Sequence, residues 1–320
     1  MTLLTRRQAL GSLGAAVSVS CARRPRPGAE PRVSILKASG YTQGLFDQVR
    51  RLLAEHQVQV RGQRVLLKPN LVEFDPATTI NTHPLLVHAA LEAFRALGAA
   101  EVRIAEGPGH RRLTLDLAED AGYFDALPDF ERHFTDLNLD EVSEVRIRRP
   151  FSELKSLYLP RTALACDLLV SLPKMKTHHW AGATLAMKNL FGVVPGAVYG
   201  WPKNLLHWAG IHECIADLYG LFPRQFCLVD GIIAMEGNGP IQGSPRTAGV
   251  LVAGADPVAV DATCCRIMGI NPAKVRYLSL AGGRGQTESQ YVRQIGEPLP
   301  GVQGSFALIP EIAWMRLPAA

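Results

Sequence analysis

Six short β-rich runs, at 33–37, 65–68, 102–106, 168–172, 226–230 and 250–254, alternate with amphipathic stretches along the chain. That alternation constrains the fold more than any other feature. The runs are almost continuously apolar, as strands covered on both faces must be. The intervening stretches predict helices at 44–56, 84–97, 113–121, 181–190, 206–221, 257–268 and 272–281. Pro84 and Pro257 suit first helical positions, Asp256 suits a cap, and Gly98 and Gly269 suit helix ends. Alternating β and α elements imply an α/β fold: a mainly parallel sheet with helices on both faces, a Rossmann-like three-layer arrangement. The stretch 125–160 is charged and irregular and reads as a small β insertion. The Gly- and Pro-rich tail after residue 281 reads as surface chain.

The net charge of +5 suggests an acidic partner until its location is checked. Five arginines (Arg6, Arg7, Arg23, Arg24, Arg26) and no acidic residue lie in residues 1–27. Removing those five from 34 basic residues leaves 29, equal to the 29 acidic ones. The body is neutral, so a nucleic-acid footprint is not expected. Thr5-Arg6-Arg7 followed by an uncharged run to Ser20 resembles a twin-arginine export signal. The expected organisation is a signal at 1–21, a linker at 22–30 and one α/β domain at 31–320. It implies an exported, periplasmic or envelope-associated protein that meets the twin-arginine machinery. Cys21, directly after the apolar run, is a candidate lipid anchor.

The other cysteines (Cys166, Cys214, Cys227, Cys264, Cys265) form no CxxC pair. An iron–sulfur cluster is therefore not expected, and buried thiols are the default, with a disulfide left open.

Ligands of doubly wound sheets sit beyond the carboxyl ends of the strands. Polar residues collect at those ends here. Lys68 and Asn70 follow one run, and Glu106, Gly107, Gly109 and His110 follow the next. Lys174, Lys176 and His178 follow a third, while Asp230, Glu236 and Asn238 follow a fourth. Lys188 and Asn189 interrupt an apolar helical pattern just before Gly192. Convergent lysines suit a phosphate or carboxylate, and the competing reading is a structural network balanced by Glu106, Asp230 and Glu236. Asn70, the glycines, Asn189, Asp230 and Asn238 join the lysines as expected ligand- or cofactor-binding residues. His110, His178, Glu106 and Glu236 are the expected proton carriers.

The segments LLKPNLV, IAEGPG, SLPKMKTHHWAGATLAMKNLFGVVPG, VDGIIAMEGNGP and LVAGADPVAVDATCCRIMGI resemble the domain of unknown function 362 family. The resemblance covers about residues 33–277 and implies an α/β domain without a general reaction. A fainter one is to nickel-pincer-nucleotide lactate racemases, carried by Gly109-His110-Arg111, His178, Lys188 and Pro195-Gly196. That resemblance implies an acid/base pair at His110 and His178, a cofactor tether at Lys188 and a metal ligand at His207. Ala186-Met187 departs from that family's Gly-Gly before the tether.

Three functions are consistent with these residues. The first is an exported enzyme acting on a small anion. The second is a non-catalytic envelope protein that carries a solute or cofactor. The third is a metal-dependent racemase or isomerase with a divalent metal or nucleotide-derived cofactor. Substrate and oligomeric state are not encoded in any motif.

Overall fold

The computed structural model describes residues 30–282 and 286–318. The export signal, Cys21 and all but Glu30 of the linker lie outside the described residues. The strands in chain order are β1 (Arg32–Lys37), β2 (Arg64–Pro69), β3 (Glu101–Glu106), β4 (Phe134–Asp136), β5 (Val142–Arg146) and β6 (Ser156–Pro160). They continue with β7 (Leu168–Leu172), β8 (Lys174–His178), β9 (Gly182–Thr184), β10 (Gln225–Asn238), β11 (Gln242–Gly254) and β12 (Arg293–Gly296).

The main sheet runs in the order β12-β1-β11-β10-β7-β2-β3-β4. Along that path only β11 opposes its neighbours, so the sheet is mainly parallel as expected. Strand alternation sends successive side chains to opposite faces. Val65 and Leu67 of β2 enter one core and Leu66 the other. Phe226 and Leu228 of β10 likewise oppose Cys227 and Val229. Helices Leu45–Glu55 and Pro84–Ala96 cover one face, and Ile211–Leu221 and Pro257–Ile267 cover the other. This is the three-layer α/β fold.

Asp256 Oδ1 accepts the Ala259 N–H at 3.0 Å, capping the helix that Pro257 opens. His83 Nδ1 does the same for Pro84–Ala96, accepting from Leu85 N at 3.2 Å. The five described cysteines are free thiols.

Four expectations need correction. The stretch 181–190 is not one helix: β9 occupies Gly182–Thr184, and only Ala186–Asn189 is α-helical. The helix expected at 206–221 is two, Asn204–Trp208 and Ile211–Leu221, broken where Gly210 adopts a φ of +103°. The insertion is narrower than 125–160: β4 belongs to the main sheet, and only β5 and β6 form a separate hairpin. The tail is not merely surface chain. β12 extends the sheet beside β1, and Phe306, Ile312 and Met315 are buried.

The fold positions the site through one long strand. β10 runs on past the end of β7, and β8 pairs with that overhang, placing Asp230 opposite Lys174 and Met235 opposite Lys176. The basic segment after β7 is thus a strand with fixed register, not a loop.

Candidate functional site

Beyond the carboxyl ends of β2, β3 and β8 lies a cavity of about 890 Å³. Asn70, Glu106, Gly107, Gly109 and His110 form one side of its wall. Lys176, His178, Lys188, Asn189, Gly192, His207 and Asn238 complete the expected members. Lys68, Lys174, Asp230 and Glu236 are not on the wall.

Those four do other work. Lys68 Nζ is completely buried against the Glu106 carboxylate and also donates to Pro69 O at 2.8 Å and Asn189 Oδ1 at 3.1 Å. Glu106 accepts the Gly107 N–H at 3.0 Å and the Leu71 N–H at 3.3 Å. Asn189 Nδ2 returns a bond to Lys68 O at 3.0 Å and another to Ser171 Oγ at 3.1 Å. Gly192 is required beside this pair, because a Cβ there would stand 1.8 Å from Glu106 Oε1 and 2.3 Å from Lys68 Nζ. Lys174 Nζ donates to Asp230 Oδ2 at 2.6 Å, Tyr41 OH at 3.0 Å and Ile233 O at 3.1 Å. Asp230 also accepts from Tyr41 OH at 2.8 Å and His83 N at 3.0 Å. Glu236 accepts the Ala307 N–H at 2.9 Å and sits 3.6 Å from Arg246. The balancing anticipated from sequence therefore holds for Glu106 and Asp230, which pair two of the buried lysines, and not for Glu236, which faces Arg246.

The cavity lysines lack carboxylate partners. Lys176 Nζ donates to the carbonyls of Ile80 at 2.8 Å and Pro240 at 3.1 Å. Burial, with Lys174 and Lys188 nearby, pulls it well below the usual lysine range. Lys203, which the sequence reading passed over, donates to Gly107 O and Phe191 O, each at 2.6 Å. Burial brings it down to about 7. Its φ of +68° sits just before helix Asn204–Trp208. No spacing signal marks Lys203; only the chain's turn back over β3 brings it to the wall. Lys188 has no hydrogen-bond acceptor among the described residues. Its Nζ lies 3.9 Å from the Phe191 ring centroid, and burial together with Lys68 lowers it to about 7.

Asp261, at 0% exposure, accepts N–H groups from Ala186 at 2.8 Å and Met187 at 3.0 Å. It thereby anchors the single turn that carries Lys188. Burial pushes its carboxyl up to about 8, against the pull of those two N–H groups.

The histidines differ in which nitrogen is free. His178 Nδ1 accepts from Trp180 N at 3.1 Å and Ala181 N at 3.2 Å, which puts its proton on Nε2. Burial and Lys188 keep it neutral. It is thus set up as a hydrogen-bond donor rather than a base. His207 is the converse: its Nδ1 meets Lys203 O at 3.0 Å, so Nε2 keeps a lone pair. Burial lowers its pKa too. His179, also on the wall, bonds Gly239 O through Nδ1 at 2.8 Å. His110 lies on the wall, and its ring makes no hydrogen bond among the described residues. Two buried wall atoms, Asn70 Oδ1 and Thr184 Oγ1, have no partner. Among the described residues no group of three or more His, Cys, Asp or Glu side chains is arranged to hold a metal ion.

The family model described as domain of unknown function (DUF362) matches residues 65–266. The chain belongs to this family. The matched segment runs from β2 to the helix Pro257–Ile267 and includes most of the cavity wall. The thylakoid-associated protein sll1697 of Synechocystis sp. is 30% identical over 254 residues, spanning 76% of each chain. Among solved structures, the lactate racemase apoprotein of Thermoanaerobacterium thermosaccharolyticum matches with 13% identity and a TM-score of 0.45. That match covers 77% of this chain but only 59% of the racemase.

Proposed function

We propose that this family member is an enzyme that binds a small carboxylate- or phosphate-bearing ligand in the 890 Å³ cavity. One observation carries the reading. Lys176, Lys188 and Lys203 line the cavity and none of them forms a salt bridge, the Glu106 charge reaching them only at longer range, whereas Lys68 and Lys174 are each paired with a carboxylate behind the wall. Burying cations without counter-ions is costly, so this arrangement makes sense if an anion completes it. Lys176 and Lys203 hold the anion. Asn70 Oδ1 and Thr184 Oγ1 bond a hydroxyl or amino group of the same ligand. His178 Nε2–H steadies developing negative charge, and His207 Nε2 accepts a proton. A non-catalytic carrier would need the lysines but not the histidines.

The test is thermal denaturation with a panel of small carboxylates and phosphate esters. Wild type is expected to gain a ligand-induced shift. Lys203→Ala is expected to fold and lose it; an unchanged shift in that variant contradicts the reading.

A second reading, a racemase or isomerase with a metal-bearing nucleotide, is favoured by Lys188 being an unpaired amine on the same wall as His207 Nε2. The described residues hold no self-sufficient metal cluster, so any metal would enter as part of an organic cofactor. Lys188 would fix that cofactor and His207 would ligate its metal, which supplies redox chemistry at one carbon. Metal content and intact mass of protein isolated from its exported form decide this reading. An unmodified mass with substoichiometric metal removes it.

We place the protein at the cell envelope. The Arg6-Arg7 leader and Cys21 support this, as does the relative named for its association with thylakoids. No described helix is long and apolar enough to cross a membrane. Fractionation after globomycin treatment tests whether Cys21 carries the anchor.

A further inference from the structure

Four lysines are buried and a fifth, Lys188, is partly buried, and their acceptors separate that one from the rest. Lys68 and Lys174 each have a carboxylate and at least one carbonyl. Lys176 and Lys203 each have two carbonyls. Lys188 has none, and its only close contact of this kind is the Phe191 ring. An ammonium needs three acceptors, whereas a neutral amine can leave its lone pair free. The Phe191 ring face is a weak partner for an ammonium, and Lys188 stays open to a ligand in the cavity. The position is also rigid. Asp261 bonds two consecutive N–H groups of the Lys188 turn, and Asn189, the next residue, is locked to Lys68 and Ser171.

We propose that Lys188 is a nucleophilic amine that forms an imine with a ligand carrying a carbonyl beside its anionic group, such as a 2-oxo acid or a phosphorylated aldehyde. This rests on the anion-site reading and narrows its substrate class. The Lys188 Nζ lone pair attacks the carbonyl carbon, and the carbonyl π electrons move to oxygen. His178 Nε2–H hydrogen-bonds that oxygen and keeps its proton. His207 Nε2 takes the two amine protons in turn and passes each to the oxygen, which leaves as water as the C=N bond forms. No oxidant or reductant is consumed. Lys176 and Lys203 hold the carboxylate or phosphate, so the cations that bind and the amine that reacts are different residues. A near-neutral amine supports the assignment, since the nucleophile must be unprotonated when it attacks.

The experiment incubates the full chain with pyruvate or with glyceraldehyde 3-phosphate, reduces with sodium cyanoborohydride, and reads intact mass followed by peptide mapping. The expected result is one adduct per chain, on Lys188, at least tenfold above exposed lysines such as Lys37 and Lys155. Lactate, which has no ketone or aldehyde group, should shift the melting temperature, give no adduct, and compete with pyruvate. Mapping on the wild-type chain makes the result independent of whether Lys188→Met folds. A lactate shift with no adduct, or with adducts spread by exposure, overturns the imine and leaves the anion site standing. No shift with lactate, pyruvate or glyceraldehyde 3-phosphate, and no adduct, overturns both.

Discussion

Lys68 and Lys174 are buried in salt bridges with carboxylates, whereas Lys176 and Lys203, also buried, and Lys188, partly buried, form none, although all five stand at the same edge of one sheet. The paired lysines tie strands together: Lys68–Glu106 joins β2 to β3, and Lys174–Asp230 joins β8 to β10. The unpaired ones surround open volume. A net charge counts both kinds equally, yet only the second kind leaves a field for a ligand to answer. The comparison teaches that charge complementarity inside this fold is deliberate where it is structural and withheld where the cavity begins.

The largest effect should follow from unbalancing a paired lysine. Glu106→Gln leaves Lys68 buried and uncompensated, which is expected to cost about 3–5 kcal/mol. It should show as a melting point lowered by ten degrees or more, or as failure to accumulate. Gly192→Ala, which drives a methyl into the same pair, should behave alike in the same assay. If either variant melts like wild type, the pairing is not structural.

Removing an unpaired lysine should do the opposite. Lys203→Met is expected to weaken binding of a small carboxylate about 100-fold by calorimetry, while the unliganded chain melts at the same temperature or a few degrees higher. A clear drop in melting point would place Lys203 with the structural pairs.

Proton linkage gives an intermediate effect. Lys188 and Lys203 titrate near 7 in the folded chain, below the ordinary lysine value of ~10.4. The unfolded chain therefore binds more protons between those values. Stability of the unliganded protein should rise with pH over that window, by at most about 1.4 kcal/mol per pH unit per lysine. Urea unfolding at pH 7, 8 and 9 should show this rise, and Lys203→Met should flatten it. A wild-type profile that is flat or falls would show both lysines to be ordinary.

The smallest effect concerns positioning. Asp261→Asn keeps the shape but weakens the two N–H bonds at the Lys188 turn. It is expected to cost about 1 kcal/mol of stability and a few-fold in ligand affinity. Equal affinity would remove Asp261 from the account of how Lys188 is placed.

Much of this was legible in the sequence because apolar alternation reports strands buried on both faces. The sheet and its polar strand ends follow from runs such as 65–68 and 102–106. The segment at 174–178 was harder, since lysines and a histidine do not look like a strand, and only the overhang of β10 makes them one. Which lysines are paired is a long-range fact: Lys68 meets Glu106 thirty-eight positions away, and Lys174 meets Asp230 at fifty-six. Lys203 carries no motif, because its place on the wall depends on a left-handed turn and two carbonyls from distant loops. The roles of His178 and His207 depend on which ring nitrogen the backbone occupies, and sequence does not show that.

The most direct test of the central claim is calorimetric titration at pH 8 with lactate and with sulfate, neither of which titrates there, in buffers of different ionisation enthalpy. An anion entering a cluster of largely neutral lysines should bind with net proton uptake, near one proton per chain, and the uptake should fall in Lys203→Met. Binding without proton uptake, or uptake unchanged when Lys203 is replaced, would contradict the account.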